Sequence, residues 1–116
     1  MRKHYFFFDI DGTLAAGPIM GRYIPESTKR ALEILKSEGH FLAICTGRLH
    51  AMGEGFMHEL GFQNMVADGG NSLTLDGEFL GIKPLDTQAC IDVIEECERL
   101  GVVWAISFDD SRRRWT

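Results

Sequence analysis

Asp9 and Asp11 stand two residues apart in the run Asp9-Ile10-Asp11-Gly12-Thr13-Leu14. Two carboxylates facing one crevice repel each other unless a partner offsets their charge. A hard cation such as Mg2+ would do so through oxygen ligands and leave room for a phosphate. Gly12 lets the chain turn sharply after the pair. Thr46-Gly47-Arg48 forms a second candidate group. Its hydroxyl, its glycine amide and the helix start that follows can donate hydrogen bonds to one phosphate oxygen. Each pattern also has a plain structural reading. A bare Asp-x-Asp-Gly is often a solvated turn or a calcium-type loop, and Thr-Gly-Arg is often a strand-to-helix turn beside a surface charge. The elements around them separate these readings.

Residues 4–8 form a short aromatic-rich run stopped by Asp9, which suits a strand buried on both faces. Ile24 and Pro25 lead to Ser27, expected to cap a helix in which Ala31, Leu32 and Leu35 share a face before Gly39 ends it. Residues 41–45 give a second apolar run. A helical segment then carries Met52, Phe56 and Leu60 at helical spacing up to Gly61. This β-α-β-α alternation predicts parallel strands with right-handed crossovers, so Asp9 and Thr46 should share the crevice beyond two neighbouring strand ends. Residues 65–67 read as a third strand. Residues 72–75 and 78–80 flank Asp76-Gly77, the dipeptide of a type I′ hairpin. Asp86 or Thr87 can cap a helix whose Ile91, Ile94, Cys97 and Leu100 share a face, and residues 102–108 read as a further strand.

The composition is that of a globular domain: 116 residues, 45% hydrophobic, 25% charged and 10% aromatic. Twelve basic and seventeen acidic side chains leave a net charge of −5, which offers no broad positive field for nucleic acid or an anionic membrane. No apolar run approaches the roughly 18 residues of a membrane span, and residues 1–9 are too short and too soon acidic for a signal peptide. The expected location is cytoplasmic. The odd count of three cysteines, with neither Cys-x-x-Cys nor Cys/His spacing, predicts reduced thiols rather than a disulfide framework or a zinc site. Cys90 and Cys97 read as small packing residues.

Together, residues 9–14 (DIDGTL) and 45–48 (CTGR) resemble the first and second motifs of the haloacid dehalogenase superfamily of phosphohydrolases. The hairpin, then residues 81–86 (GIKPLD) and an amphipathic helix, look like the Cof-type branch, in which an α/β cap follows the second motif. The resemblance implies an α/β fold: a Rossmann-like parallel sheet with helices on both faces. A phosphatase core would span residues 1–81 and the start of an incomplete cap residues 82–116, so the chain looks like an N-terminal part. The family pattern makes Asp9 the nucleophile that becomes an aspartyl-phosphate. Asp11 would protonate the leaving alcohol and then activate water. Mg2+ would sit on the Asp9 carboxylate, the Asp11 carbonyl and the phosphate, while Thr46 and the Gly47 amide hold a phosphate oxygen. Arg48 either faces substrate or caps the crevice. The implied reaction is hydrolysis of a small phosphomonoester, with sugar phosphates as the first analogy.

Two departures from the family pattern follow. Where relatives often carry Asn-Gly after strand three, this chain has Asp68-Gly69-Gly70-Asn71, so a substrate-facing amide is replaced by Asp68 or shifted to Asn71. The stabilising lysine and the late acidic metal motif have no counterpart: Lys83 reads as a linker residue, and Asp109-Asp110 as a cap turn. The four histidines lack ligand spacing. A chain of this kind is expected to turn over slowly or not at all, and the exposed edge of its first strand should favour self-association. The alternatives are a receiver-like phospho-acceptor domain and an inactive binding fragment. A receiver pattern, however, has adjacent acids after strand one and its acceptor after strand three.

Overall fold

The computed structural model describes residues 2–108, 110 and 111. Its elements are β1 (Tyr5–Phe8), α1 (Glu26–Ser37), β2 (Phe41–Cys45), α2 (His50–Leu60), β3 (Met65–Ala67), a short 3-10 turn (Asp68–Gly70), β4 (Ser72–Leu75), β5 (Glu78–Ile82) and α3 (Thr87–Leu100). They build one five-stranded sheet in the order β1-β2-β3-β4-β5. β1, β2 and β3 run parallel, and β4 and β5 return antiparallel. The α/β, Rossmann-like character expected from the alternation is therefore present.

The registers show which face is the core. Phe6 and Phe8 lie beside Leu42 and Ile44, and Ile44 lies beside Met65, so these side chains point the same way. They join Leu32 of α1, Met57 and Leu60 of α2, and Ile10, Leu14 and Ile24 in one apolar cluster. α1 and α2 thus cover the same face, where helices on both faces were expected; this is the natural result of two crossovers of one hand that each move one strand in the same direction. Lys36 of α1 ties the helices together by donating to the carbonyls of Leu60 (3.1 Å) and Gly61 (3.3 Å) at the end of α2, where the helix dipole favours a cation.

The other face of β1 is open, which corrects the expectation of a strand buried on both sides. Tyr5 and Phe7 are 63% and 59% exposed. β1 hydrogen-bonds only to β2 among the described residues, and the tyrosine and phenylalanine rest against Phe41 with ring centroids 5.4 and 5.9 Å away. An aromatic run records a strand's taste for apolar neighbours, not whether those neighbours are present.

Three further expectations are revised. Ser27 does not cap α1; the helix begins two residues earlier than such a cap would start it, at Glu26 after Pro25, whose ring fixes φ at −59° and whose carbonyl accepts from Lys29 N–H at 3.1 Å. In α2 the buried stripe is His50, Gly53, Met57 and Leu60, with Met52 and Phe56 only partly covered. Residues 102–108 form no strand among the described residues, and Ile106 takes part only in an isolated bridge. Asp86, by contrast, does cap α3, its side chain accepting from Ala89 N–H at 2.9 Å. Asp76 and Gly77 make the two-residue turn between β4 and β5 with φ of 51° and 82°, the left-handed pair a type I′ turn requires. α3 buries none of its residues. Cys45, Cys90 and Cys97 are free, and no helix is long and apolar enough to cross a membrane among the described residues.

Candidate active site

Alternation within the turn after β1 sorts its side chains. Ile10 and Leu14 are 0% and 3% exposed and anchor the turn in the core, which leaves Asp9 and Asp11 at its outer side. The backbone closes tightly around them: Leu14 N–H donates to Asp9 O (3.2 Å), and Thr13 and Ala15 N–H both donate to Ile10 O (3.2 and 2.9 Å). Gly12 takes φ +81° at the bend, a conformation that costs little only without a Cβ. Asp9 is exposed, one carboxylate oxygen accepting from Ile10 N–H at 2.8 Å.

Parallel register brings the second group alongside. Phe8 is level with Ile44, so Asp9 and Thr46 leave the sheet from adjacent strand ends, where open α/β sheets collect ligands. Thr46 is buried; its N–H donates to Val66 O (2.9 Å) and its Oγ1 accepts from Arg48 N–H (3.0 Å). The hydroxyl hydrogen is left for another acceptor. Gly47 is exposed, with no atom within 4 Å of where a Cβ would lie.

Arg48 reaches back across the crevice to Asp11. Its Nε donates to Oδ2 at 2.8 Å and a terminal nitrogen donates to Oδ1 at 2.6 Å, a forked pairing of guanidinium with carboxylate. Arg22 adds an Nε contact to Oδ1 at 3.2 Å. It is delivered there because Ala16 and Tyr23 exchange backbone hydrogen bonds of 2.8 and 3.0 Å, folding residues 17–22 into a loop that Arg22 also fastens through the Gly17 carbonyl. The hydrogen bond from Arg48 holds the Asp11 carboxyl below its ordinary value; partial burial opposes this, and the charges of Arg48 and Arg22 reinforce it. Reciprocally, the Asp11 hydrogen bond raises Arg48.

Asp68 and Asn71 lie at the end of β3. Asp68 N–H donates to Arg48 O (2.7 Å), and its Oδ2 accepts from His50 N–H (3.1 Å), so its carboxylate holds the start of α2. Asn71 enters the network through its main chain, donating to Asp68 O and accepting from Lys83 N–H at 2.6 Å. Arg22 and the His50–Asp110 pair were not legible as site residues. Asp110 Oδ1 accepts from Ala51 N–H (2.7 Å), and Oδ2 lies 2.6 Å from His50 Nδ1. The His50 ring stacks on Phe79 at 3.9 Å and its other nitrogen faces Glu54 at 3.4 Å. A sequence separation of 60 residues gives no local sign of this contact. Asp109 lies outside the described residues.

The fit to a divalent cation can be tested on the turn itself. The second oxygen of the Asp9 carboxylate makes no hydrogen bond among the described residues, and the Asp11 carbonyl, unlike those of Asp9 and Ile10, accepts none of the turn's backbone bonds. Two free, hard oxygens at one bend suit Mg2+, which commonly takes one or two protein oxygens and fills its remaining positions with water and phosphate. No group of three acidic, histidine or cysteine side chains is placed to hold a metal ion among the described residues. Beside the site, the loop and α2 border an open cleft of about 460 Å3 lined in part by Ile19, Arg22, Arg48, Met52, Phe56 and Glu59.

Comparison with known proteins agrees with this geometry. YkrA of Bacillus subtilis (strain 168), which is named as a phosphatase, is 26% identical over 98 residues, covering 84% of this chain and 37% of its own length. A hypothetical protein of Geobacillus kaustophilus HTA426 superimposes with a TM-score of 0.66 at 35% identity, over 87% of this chain and 38% of that one. BT4131, a sugar phosphatase of HAD subclass IIB, gives 0.67 at 28% identity, over 86% and 38%. The chain thus spans less than two fifths of the length of each of these relatives. The sequence profile of the haloacid dehalogenase-like hydrolases matches residues 6–112. With both motifs placed at adjacent strand ends of the expected sheet, the chain belongs to the haloacid dehalogenase-like hydrolases, in their Cof-type branch.

Proposed function

We propose that this chain carries the nucleophilic half of a Mg2+-dependent phosphatase acting on a small phosphomonoester. The observation that supports it most is the exposed Asp9 carboxylate at the end of β1, level with the Thr46–Arg48 turn at the end of β2. A free oxygen of Asp9 attacks phosphorus, the bond from phosphorus to the ester oxygen breaks, and the leaving alkoxide takes up a proton. Water then attacks the aspartyl-phosphate, releasing phosphate and restoring the carboxylate. The Thr46 hydroxyl and the Gly47 amide hold a phosphate oxygen through both steps. The Asp9 carboxylate and the Asp11 carbonyl would hold Mg2+, which supplies charge compensation for the phosphoryl group.

Asp11 is the proton carrier of this scheme, and its forked bond to Arg48 constrains when it can act. An ionised carboxylate accepts protons but has none to give. For Asp11 to protonate the alcohol, Arg48 must first exchange it for another anion, and the incoming phosphate is the anion at hand. Residues 82–116 would begin a cap over this site, and likeness to BT4131 makes sugar phosphates the first substrates to try. A second reading, phosphate capture without turnover, draws on the hold of both arginines on Asp11. Turnover of p-nitrophenyl phosphate with Mg2+ separates the two. The nucleophile reading expects Asp9→Asn to abolish hydrolysis and Asp11→Asn to lower it while sparing phosphate binding; undiminished activity of Asp9→Asn would remove the assignment.

A further inference from the structure

The cavity between the 17–22 loop and α2 is much larger than a phosphate needs. Its volume of about 460 Å3 falls in the range of roughly 300–1,000 Å3 that holds organic ligands. It is continuous with the site, because Arg22 and Arg48, which grip Asp11, are also part of its wall. Its lining is of two kinds. Ile19, Met52 and Phe56 present apolar surface, and Ile19 is 78% exposed, so the core does not account for its position. Glu59 is the other kind: an exposed carboxylate with no ion pair among the described residues.

Charge narrows the occupant. Both arginines of the wall already pair with Asp11, whereas the one carboxylate of the wall, Glu59, has no ion pair among the described residues. A leaving group with a second anion would add repulsion in a half-enclosed space. Glu59, which can only accept hydrogen bonds, selects donors such as hydroxyl groups. The apolar walls select a flat, carbon-rich face. The geometry points to this cavity as the leaving-group subsite: it takes a neutral, hydroxyl-bearing ring with one apolar face, and Glu59 is its specificity-determining residue. This rests on the phosphatase reading above and adds a selecting surface on the core side of the site.

Backbone amide shifts test it without turnover. The protein is titrated, without Mg2+, with inorganic phosphate, glucose 6-phosphate and 3-phosphoglycerate. All three should shift Thr46, Gly47 and Arg48. Only glucose 6-phosphate should also shift Ile19, Met52 and Phe56 and bind more tightly than phosphate; 3-phosphoglycerate should gain nothing. Glu59→Gln, an exposed change on a formed helix, should weaken glucose 6-phosphate by roughly tenfold, as expected for losing a charge-assisted hydrogen bond, and leave phosphate unchanged. Glucose 6-phosphate shifts confined to Thr46–Arg48, equal gain by 3-phosphoglycerate, or an unaltered Glu59→Gln affinity would each overturn the subsite. Absence of any phosphate shift at Thr46–Arg48 would instead overturn the phosphatase reading, and the subsite with it.

Discussion

Gly53 and Gly55 sit in the same helix but should respond oppositely to the same substitution. A Cβ at Gly53 would lie 2.8 Å from Met65 Sδ, 3.5 Å from Met65 Cε and 3.6 Å from Thr46 Cγ2. Met65 is 1% exposed, so its thioether has no solvent to retreat into, and crowding of this sort costs about 1–3 kcal/mol. Alanine returns about 1 kcal/mol of helix propensity, leaving Gly53→Ala destabilised by about 0–2 kcal/mol. Gly55 has nothing within 4 Å of its would-be Cβ, so Gly55→Ala should gain about 1 kcal/mol outright. Urea unfolding followed by circular dichroism should separate the two variants by about 1–3 kcal/mol, or by about 4 °C or more in Tm. Adding Gly53→Ala to Met65→Val, where the sulfur is gone, should turn the loss into a gain. If Gly53→Ala alone stabilised the protein as much as Gly55→Ala, the close seating of α2 on β3 and Thr46 would be refuted.

Other perturbations read other parts of the structure. Because Arg48 holds Asp11 below its ordinary value of 3.8, their pairing stabilises the fold at neutral pH and is lost as pH falls through the lowered value. Wild type should exceed Asp11→Asn by about 1 kcal/mol or less at pH 7, the pair being partly exposed, with the two curves converging in acid below 3.8. Asp86→Ala should cost α3 about 1 kcal/mol, seen as faster amide exchange at Ala89, while leaving the Thr46–Arg48 amides unchanged. For the open side of β1 we propose association between copies: sedimentation should show concentration-dependent oligomers that Phe7→Lys, a charge on the exposed sheet face, disperses. A monomer at every concentration would exclude that contact.

What the sequence made legible was whatever neighbours in the chain decide. β2 and β3 occupy residues 41–45 and 65–67 as read, since polar or glycine residues stop each apolar run. The Asp76-Gly77 hairpin and the Asp86 cap follow from single side chains and a few dihedrals. The strand ends bearing Asp9 and Thr46 were legible for the same reason. Arg22 was not, because a loop arginine looks like any surface charge until the Ala16–Tyr23 pairing turns it toward Asp11. His50 and Asp110 were hidden by their separation along the chain. The open face of β1 was misjudged because burial belongs to the neighbours a strand finds, and its own residues state only the preference.

The order of the sheet, β1-β2-β3-β4-β5, repeats the order of the chain. No strand has to be threaded between two that are already paired, and each pairs with the one made just before it. A chain of this kind can assemble vectorially as it leaves the ribosome, since every closure spans only the connection just synthesised. Once β2 has settled against β1, the Asp9 turn and the Thr46 turn already lie side by side. The crevice between these two turns is therefore laid down first, and β3, β4 and β5 are added to a strand pair that has already formed.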